Sequence, residues 1–556
     1  MKIKFTFWQE LVFLCVLCCV GCSKFDEELT PNVTDEISGR MMTRSGVAEG
    51  EELVILGEKL VNPFTVENMQ AAYNILKAGA QEIGTVNISK PTHKYIKFMP
   101  QDSVQLELIE ADTTLDLYSY PLDYEILSEG TDYIDPELPE GQPQYRYAAV
   151  PWNYTIPKNV NFQLLAELYI PEATAATRGD SGLTEEDVEL LIEQAEVLAG
   201  NDIEPETRAS KYRPAGRIRV WDDALNTYIG LEGVKVRARR WFTTHRGYTN
   251  AEGYYSCNGR FKRPANYSIV WERTYWDIRS GTFGQAYYNG PKKKGNWNLD
   301  IAKNKSLRYA TIHRAAFFYW YRPDYMVEFL SRPIHSRKVK ICYYHKQGNG
   351  INGDYWASIG AGILPDIRIY GKNSSGWRET QFIFGTVIHE LTHAAHLKAV
   401  GRVKFLMQKN ILKESWARYV QMLLTDREYE RYHHVLHETE VVRMGPYMIK
   451  FMKADEWNLQ DWNVYDKDKD YTPLFIDLAD GSNQRQYAQM KKWPNANLYI
   501  NDKIGGIAPA VLEDAMHRAY TVKALKDNIE DLKTDTGLYG ITDESLREFF
   551  EVYLSL

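Results

Sequence analysis

Past its first 22 residues the chain is almost without cysteine. Four of its six cysteines (Cys15, Cys18, Cys19 and Cys22) crowd that opening stretch, and only Cys257 and Cys342 remain among the other residues of the 556. Two thiols cannot build a disulfide framework, which excludes a small cross-linked scaffold. They are expected as buried free thiols. Long apolar runs are missing too: no stretch after residue 22 reaches the roughly 18 residues that a spanning helix needs. Nor is there an excess of positive charge. Lys and Arg number 66 against 74 Asp and Glu, a net charge of -8, which argues against a nucleic-acid binder. What is present is a soluble globular composition, 44% hydrophobic and 25% charged, in a chain long enough for about three or four domains.

The start of the chain reads as an address. Lys2 and Lys4 precede the apolar run Leu11 to Val20, which ends in Gly21-Cys22. This is a signal-peptide layout, too short for a permanent span. The small residue directly before cysteine resembles the bacterial lipobox, with Cys19 where leucine is usual. That resemblance implies cleavage before Cys22 and lipidation of its thiol. Ser23-Lys24-Phe25-Asp26-Glu27-Glu28 resembles the acidic export signal of Bacteroidota surface lipoproteins, which implies a lipid-anchored place on the outer-membrane surface, facing outward. Residues 1–22 are thus expected as a signal peptide and 23–51 as a polar tether, able to reach about 90 Å when extended.

The expected architecture is multidomain: an α+β zincin-like catalytic domain, preceded by an all-β sandwich and an N-terminal α+β or β-rich domain. The first block is placed at 52–173. Val66 to Ala78 has helical spacing, while Tyr95 to Met99 and Val104 to Leu108 alternate like strands. Tyr120 to Ile126 and Tyr147 to Pro151 resemble the opening domain of uncharacterised Bacteroidota lipoproteins, which implies no chemistry. Residues 174–211 read as a linker with one helix, opened by the capping box Thr184-Glu185-Glu186-Asp187. Arg178-Gly179-Asp180 upstream is read as a chance tripeptide. Residues 212–285 alternate and turn like an all-β unit. Gly233-Val234-Lys235-Val236 with Thr249-Asn250-Ala251-Glu252-Gly253-Tyr254 resembles the carboxypeptidase regulatory-like sandwich, with Asn250 where aspartate is usual. There the module is an appendage, and Arg237, Arg239 and Arg240 are expected on a solvated strand face.

Chemistry is expected in 286–556. His389-Glu390-Leu391-Thr392-His393 sits on a helix that Ser374 or Ser375 can cap and Gly401 can stop. Histidines four apart share one helix face and can grip one zinc ion, and the glutamate between them can reach a metal-bound water. His396 shares that face but lies about 10.5 Å along the axis from His389, too far for the same ion. Metzincins put a third histidine six residues after the second, a place held here by Ala399. With twenty residues between it and His393, Glu414 opens Glu414-Ser415-Trp416-Ala417-Arg418-Tyr419. This resembles the Glu-Gly-Phe-Ala-x-Tyr helix of the gluzincins, the thermolysin- and aminopeptidase-like zinc peptidases. The resemblance implies Glu414 as third zinc ligand, Glu390 as general base and a peptide or protein as substrate.

In that fold an edge strand upstream binds extended substrate, a role for which Ile363 to Tyr370 is placed. The glutamate with which aminopeptidases hold a substrate's amino end has no evident counterpart after Gly360-Ala361-Gly362, which leans toward an endopeptidase. Tyr419, Tyr432, His433, His434, His437 and Tyr447 stay open as oxyanion donors. Asp466, Asp468 and Asp470 imitate a calcium loop, but Tyr471 stands where glycine is needed and Asp477 where glutamate is, so a solvated turn is expected. The rival reading is a non-catalytic binding or adhesion lipoprotein on a zincin-like fold.

Overall fold

This computed structural model describes residues 53–556 apart from 80–82, 132, 140–141, 172–181, 202–209, 283, 323–337, 349–350, 357–364, 433–469, 471, 482, 491, 493–495, 499, 502, 537–540 and 555–556. Cys22, the Arg178–Asp180 tripeptide, His433, His434, His437, Tyr447, Asp466 and Asp468 lie outside the described residues. The chain is multidomain α+β with several sheets. No helix among the described residues is long and apolar enough to cross a membrane.

The first block holds β1 (Leu56–Lys59), α1 (Val66–Ala78), β2 (His93–Met99), α2 (Ser103–Glu110), β3 (Tyr124–Ile126), β4 (Arg146–Pro151), β5 (Asn161–Leu168) and α3 (Glu185–Leu198). Strands β4-β2-β5 form an antiparallel sheet. Val104–Leu108, which alternates like a strand, is in fact the middle of α2. Asp102 accepts the Gln105 N–H at 2.8 Å and caps the helix. Only Leu106 and Ile109 turn inward, three apart, while Val104 and Leu108 face solvent. The capping box at Thr184 forms as expected, but α3 is no free linker. Its Val188, Leu191 and Ala195 share one core with Met69 and Tyr95, and Asn68 donates to the Ala195 carbonyl.

The sandwich comprises β6 (Ala215–Asp222), β7 (Thr227–Gly230), β8 (Lys235–Arg240), β9 (Thr243–Tyr248), β10 (Tyr254–Ser256) and β11 (Ala265–Val270). After β11 the chain leaves it. Next come β12 (Trp276–Ser280) and β13 (Gly284–Gln285), then β14 (Tyr287–Lys293) and β15 (Leu299–Ile301). The sandwich sheets are β10-β6-β15, with β7 on β6, and β14-β11-β8-β9. The strand pairing therefore does not follow a boundary at 285/286: β12 and β13 join the third large sheet, and β14 and β15 return to the sandwich.

That third sheet runs β13-β12-β16-β18-β17, adding β16 (Val339–Gln347), β17 (Gly353–Tyr355), β18 (Ile367–Asn373) and β19 (Gly376–Trp377), which pairs with β18. Strands β12, β16 and β18 are parallel and β17 is antiparallel to them. The run expected as an edge strand is thus interior. Ile367 and Ile369 are buried between β16 and β17, and Pro365 precedes the pairing. The end position belongs to β17.

Helices α4 (Asn304–Tyr321) and α5 (Thr380–Val400) pack on this sheet, α6 (Arg402–Met407) and α7 (Asn410–Glu430) pack on α5, and α8 (Leu474–Ala479), α9 (Gln484–Met490), α10 (Pro509–Arg518), α11 (Val522–Thr536) and α12 (Asp543–Leu554) complete the block. One apolar core runs without a break from Ile218 and Val236 of the sandwich to Phe549 of α12.

Charge ties the blocks together. The basic strand β8 is not solvated: Arg237 and Arg239 are each 2% exposed. They donate to the Leu117 and Leu122 carbonyls of the first block and lie over the Tyr118 ring. Arg314 of α4 bonds to Asp222 of β6 and, at 2.8 Å, to Glu428 of α7. Cys257 and Cys342 are buried and free. Arg314→Ala leaves the buried Asp222 carboxylate without its cation and Glu428 with Arg431 alone, so it should cost about 3–5 kcal/mol in urea unfolding. Arg314→Lys, which cannot bond both acids in the same fork, should recover only part of that.

Candidate metal centre

Helix α5 starts without a cap of its own. Glu379 at the N-cap makes no capping side-chain bond, and the serines expected to cap the helix precede it in the β18–β19 turn. Asp223 of the sandwich does the work, accepting the Thr380 N–H at 2.9 Å while its own N–H goes to Thr380 Oγ1 at 2.8 Å. A carboxylate there meets both the open amides and the positive end of the helix dipole. From Thr380 to His396 nearly every side chain of α5 is buried, and Gly401, at φ 82°, ends the helix. Helix α7 packs along it.

This packing brings three donors to one point. His389 Nε2 and His393 Nε2 are 3.2 Å apart, and Glu414 Oε2 is 3.3 Å from each. Donors held about 2.0–2.1 Å from one tetrahedral ion stand about 3.3–3.4 Å apart, so the triangle has the size of a metal face. All three are 4–6% exposed. Among the described residues no other set of three His, Cys, Asp or Glu converges in this way.

The electrostatics suit a cation. Burial, which opposes charge, lowers the His389 pKa to about 4 even with Glu414 beside it, which favours the neutral imidazole that metals bind. Burial alone would raise Glu414, but His393 and His389 hold its carboxyl well below the usual range. Two imidazoles and a carboxylate make a donor set suited to a divalent cation.

Glu390 points elsewhere, under the last strand of the sheet. A Cβ on Gly353 would lie 3.1 Å from Glu390 Oε1 and 2.7 Å from Thr386 Cγ2, so β17 rests directly on α5 and only glycine fits. Glu390 takes a hydrogen bond from the Tyr355 backbone, while its Oε2 has no partner. Its pKa is pushed well above the carboxylate range by burial first, then by Asp354 and Glu414, against the opposing charge of Arg378. A carboxylate so placed is a ready proton acceptor.

His396 stays out of the triangle. Its ring packs on Phe405 and lies 5.3 Å from that of His517. Tyr432 sits past the far end of α7, about 27 Å along the helix from Glu414, so it is no oxyanion donor. Tyr419, five residues after Glu414, leaves another side of α7 and packs against Trp416. Asp470 is tied down by the ligand helix, its carbonyl accepting from Ser415 Oγ. Arg418, one turn after Glu414 on the same face, acts on His389 electrostatically. Arg418, Gly353, Asp354 and Arg378 were all invisible as site residues. Only the Arg418 spacing, i+4 from the ligand, offered a signal.

No family model matches the chain, and no curated protein matches it. Zinc that binds the folded triangle alone should raise stability by about 1.4 kcal/mol per tenfold excess over Kd. Thermal unfolding in a zinc series checks this: a rising Tm is expected, abolished by EDTA and absent in His393→Ala. Gly353→Ala should lift β17 from Thr386 and cost about 1–3 kcal/mol, read by urea unfolding.

Proposed function

We propose that the chain is a zinc-dependent peptide-bond hydrolase, an endopeptidase of gluzincin type on a zincin-like domain. The observation that carries this is the His389–His393–Glu414 triangle of donors 3.2–3.3 Å apart, with Glu390, whose Oε2 is unpartnered, on the same helix and under the electrostatic influence of Glu414. These three residues would hold zinc, which when bound supplies a Lewis acid and an acidified water. Glu390 accepts the nucleophile's proton at its free oxygen and delivers it to the leaving amine. Strand β17, antiparallel at the end of its sheet and seated on Glu390, offers an extended peptide a strand to pair with. Burial of the whole set keeps competing water away from the proton transfer.

The endopeptidase choice has its own support. The acid on the last strand, Asp354, is held by both oxygens: Arg368 bonds to Oδ1 at 3.0 Å and Oδ2 at 2.7 Å, and Trp356 Nε1 to Oδ2 at 2.6 Å. A carboxylate so engaged is a poor clamp for a substrate's terminal ammonium. The signal and lipobox pattern ending at Cys22 supports a surface-anchored lipoprotein that acts on proteins outside the cell.

Glu390→Gln should keep one zinc per chain, read by metal analysis, and lose about 10²–10⁴-fold in kcat on a peptide library. Unchanged hydrolysis with zinc retained would remove Glu390 as base. Wild-type protein that binds zinc but cleaves nothing would favour the binding-lipoprotein reading.

A further inference from the structure

Arg378 lies between β19 and α5 and is 4% exposed. Its guanidinium reaches three elements at once. Nη1 donates to the carbonyls of Asn352, just before β17, at 3.2 Å and Tyr370 of β18 at 3.4 Å. Nη2 donates to the Phe382 carbonyl at 3.3 Å and Thr386 Oγ1 at 2.8 Å, both on α5. Its own backbone N–H goes to the Gly371 carbonyl at 3.0 Å. All these acceptors are neutral oxygens. A buried guanidinium costs several kcal/mol to desolvate; besides its attraction to Glu390, it gains here a planar fork that binds strand and helix in one fixed geometry.

Thr386 couples that fork to the site. Its hydroxyl takes the Arg378 bond and passes its own proton to the Phe382 carbonyl. Its methyl lies under Gly353, and Glu390 follows one turn later beneath the same glycine. We propose that Arg378 is a positioning residue that fixes β17 in height and register over Glu390, so that a peptide paired to the strand meets the base in line. The part concerning peptide rests on the peptidase reading above; the part concerning the strand does not. A misplacement of about 1 Å is enough to cost about 10²-fold in rate.

The variant Arg378→Lys keeps the charge and removes the fork. In the zinc-loaded full chain it should retain one zinc and its Tm within a few degrees, lose about 10–100-fold in kcat with KM changed less than about threefold, and show faster amide exchange at 352–356. Arg378→Ala should be equally slow, and methylguanidinium should restore part of its kcat. Wild-type kcat in the lysine variant overturns the proposal, as does a loss fully matched by lost zinc or lost fold. If the wild-type chain proves to cut no peptide, the peptidase reading fails separately. Amide exchange then decides alone: unchanged protection at 352–356 in Arg378→Lys removes the positioning role.

Discussion

Four ionisable side chains, His389, Glu390, His393 and Glu414, are buried on the two packed helices α5 and α7, and the elements around them answer to that constraint. A buried charge without a partner costs more than the whole net stability of a typical domain can spare. Every neighbour described contributes to settling it. Asp223 satisfies the head of α5, Gly353 lets the sheet close over Glu390, and Ser415 ties the ligand helix to Thr472 and Asp470. Apolar packing holds the helices, and these polar contacts fix their depth and rotation.

Features set within one or two helical turns could be read from the sequence. Two histidines at i and i+4 must share a helix face, and Thr184 with Asp187 closes its capping box locally. The helix Val66–Ala78 has the limits that its spacing suggests. Long-range pairing could not be read. Whether an apolar run lies inside a sheet or at its margin depends on what pairs with it, and for Ile367–Asn373 the deciding partner is the three-residue β17, too short to show a period. Charge misled where burial is shared between distant segments: Arg237 and Arg239 look like a solvated face until Tyr118 and the Leu117 and Leu122 carbonyls come across from another block. In α2, Val104, Leu106 and Leu108 alternate by coincidence, and a cap at Asp102 outweighs a period of two.

The sandwich takes on a different character in this setting. As a sequence it resembles an appendage. In the fold it supplies the helix cap Asp223, the acid Asp222 that Arg314 and Tyr429 share, and an uninterrupted part of the main core.

The excursion of β12 and β13 also has a consequence for the order in which the molecule can assemble during synthesis. Strand β14 flanks β11, and β15 lies parallel against β6, yet both are made only after two strands destined for another sheet. The sandwich therefore cannot close until β14 and β15 have been made. Its edges stay open until residue 301 has emerged, and its Asp222 and Asp223 wait for helices made roughly a hundred to two hundred residues later. Such non-local closure slows folding and prolongs exposure of unpaired strands. A chain built this way gains from staying unfolded until its distant partners are all made and then folding in one cooperative step.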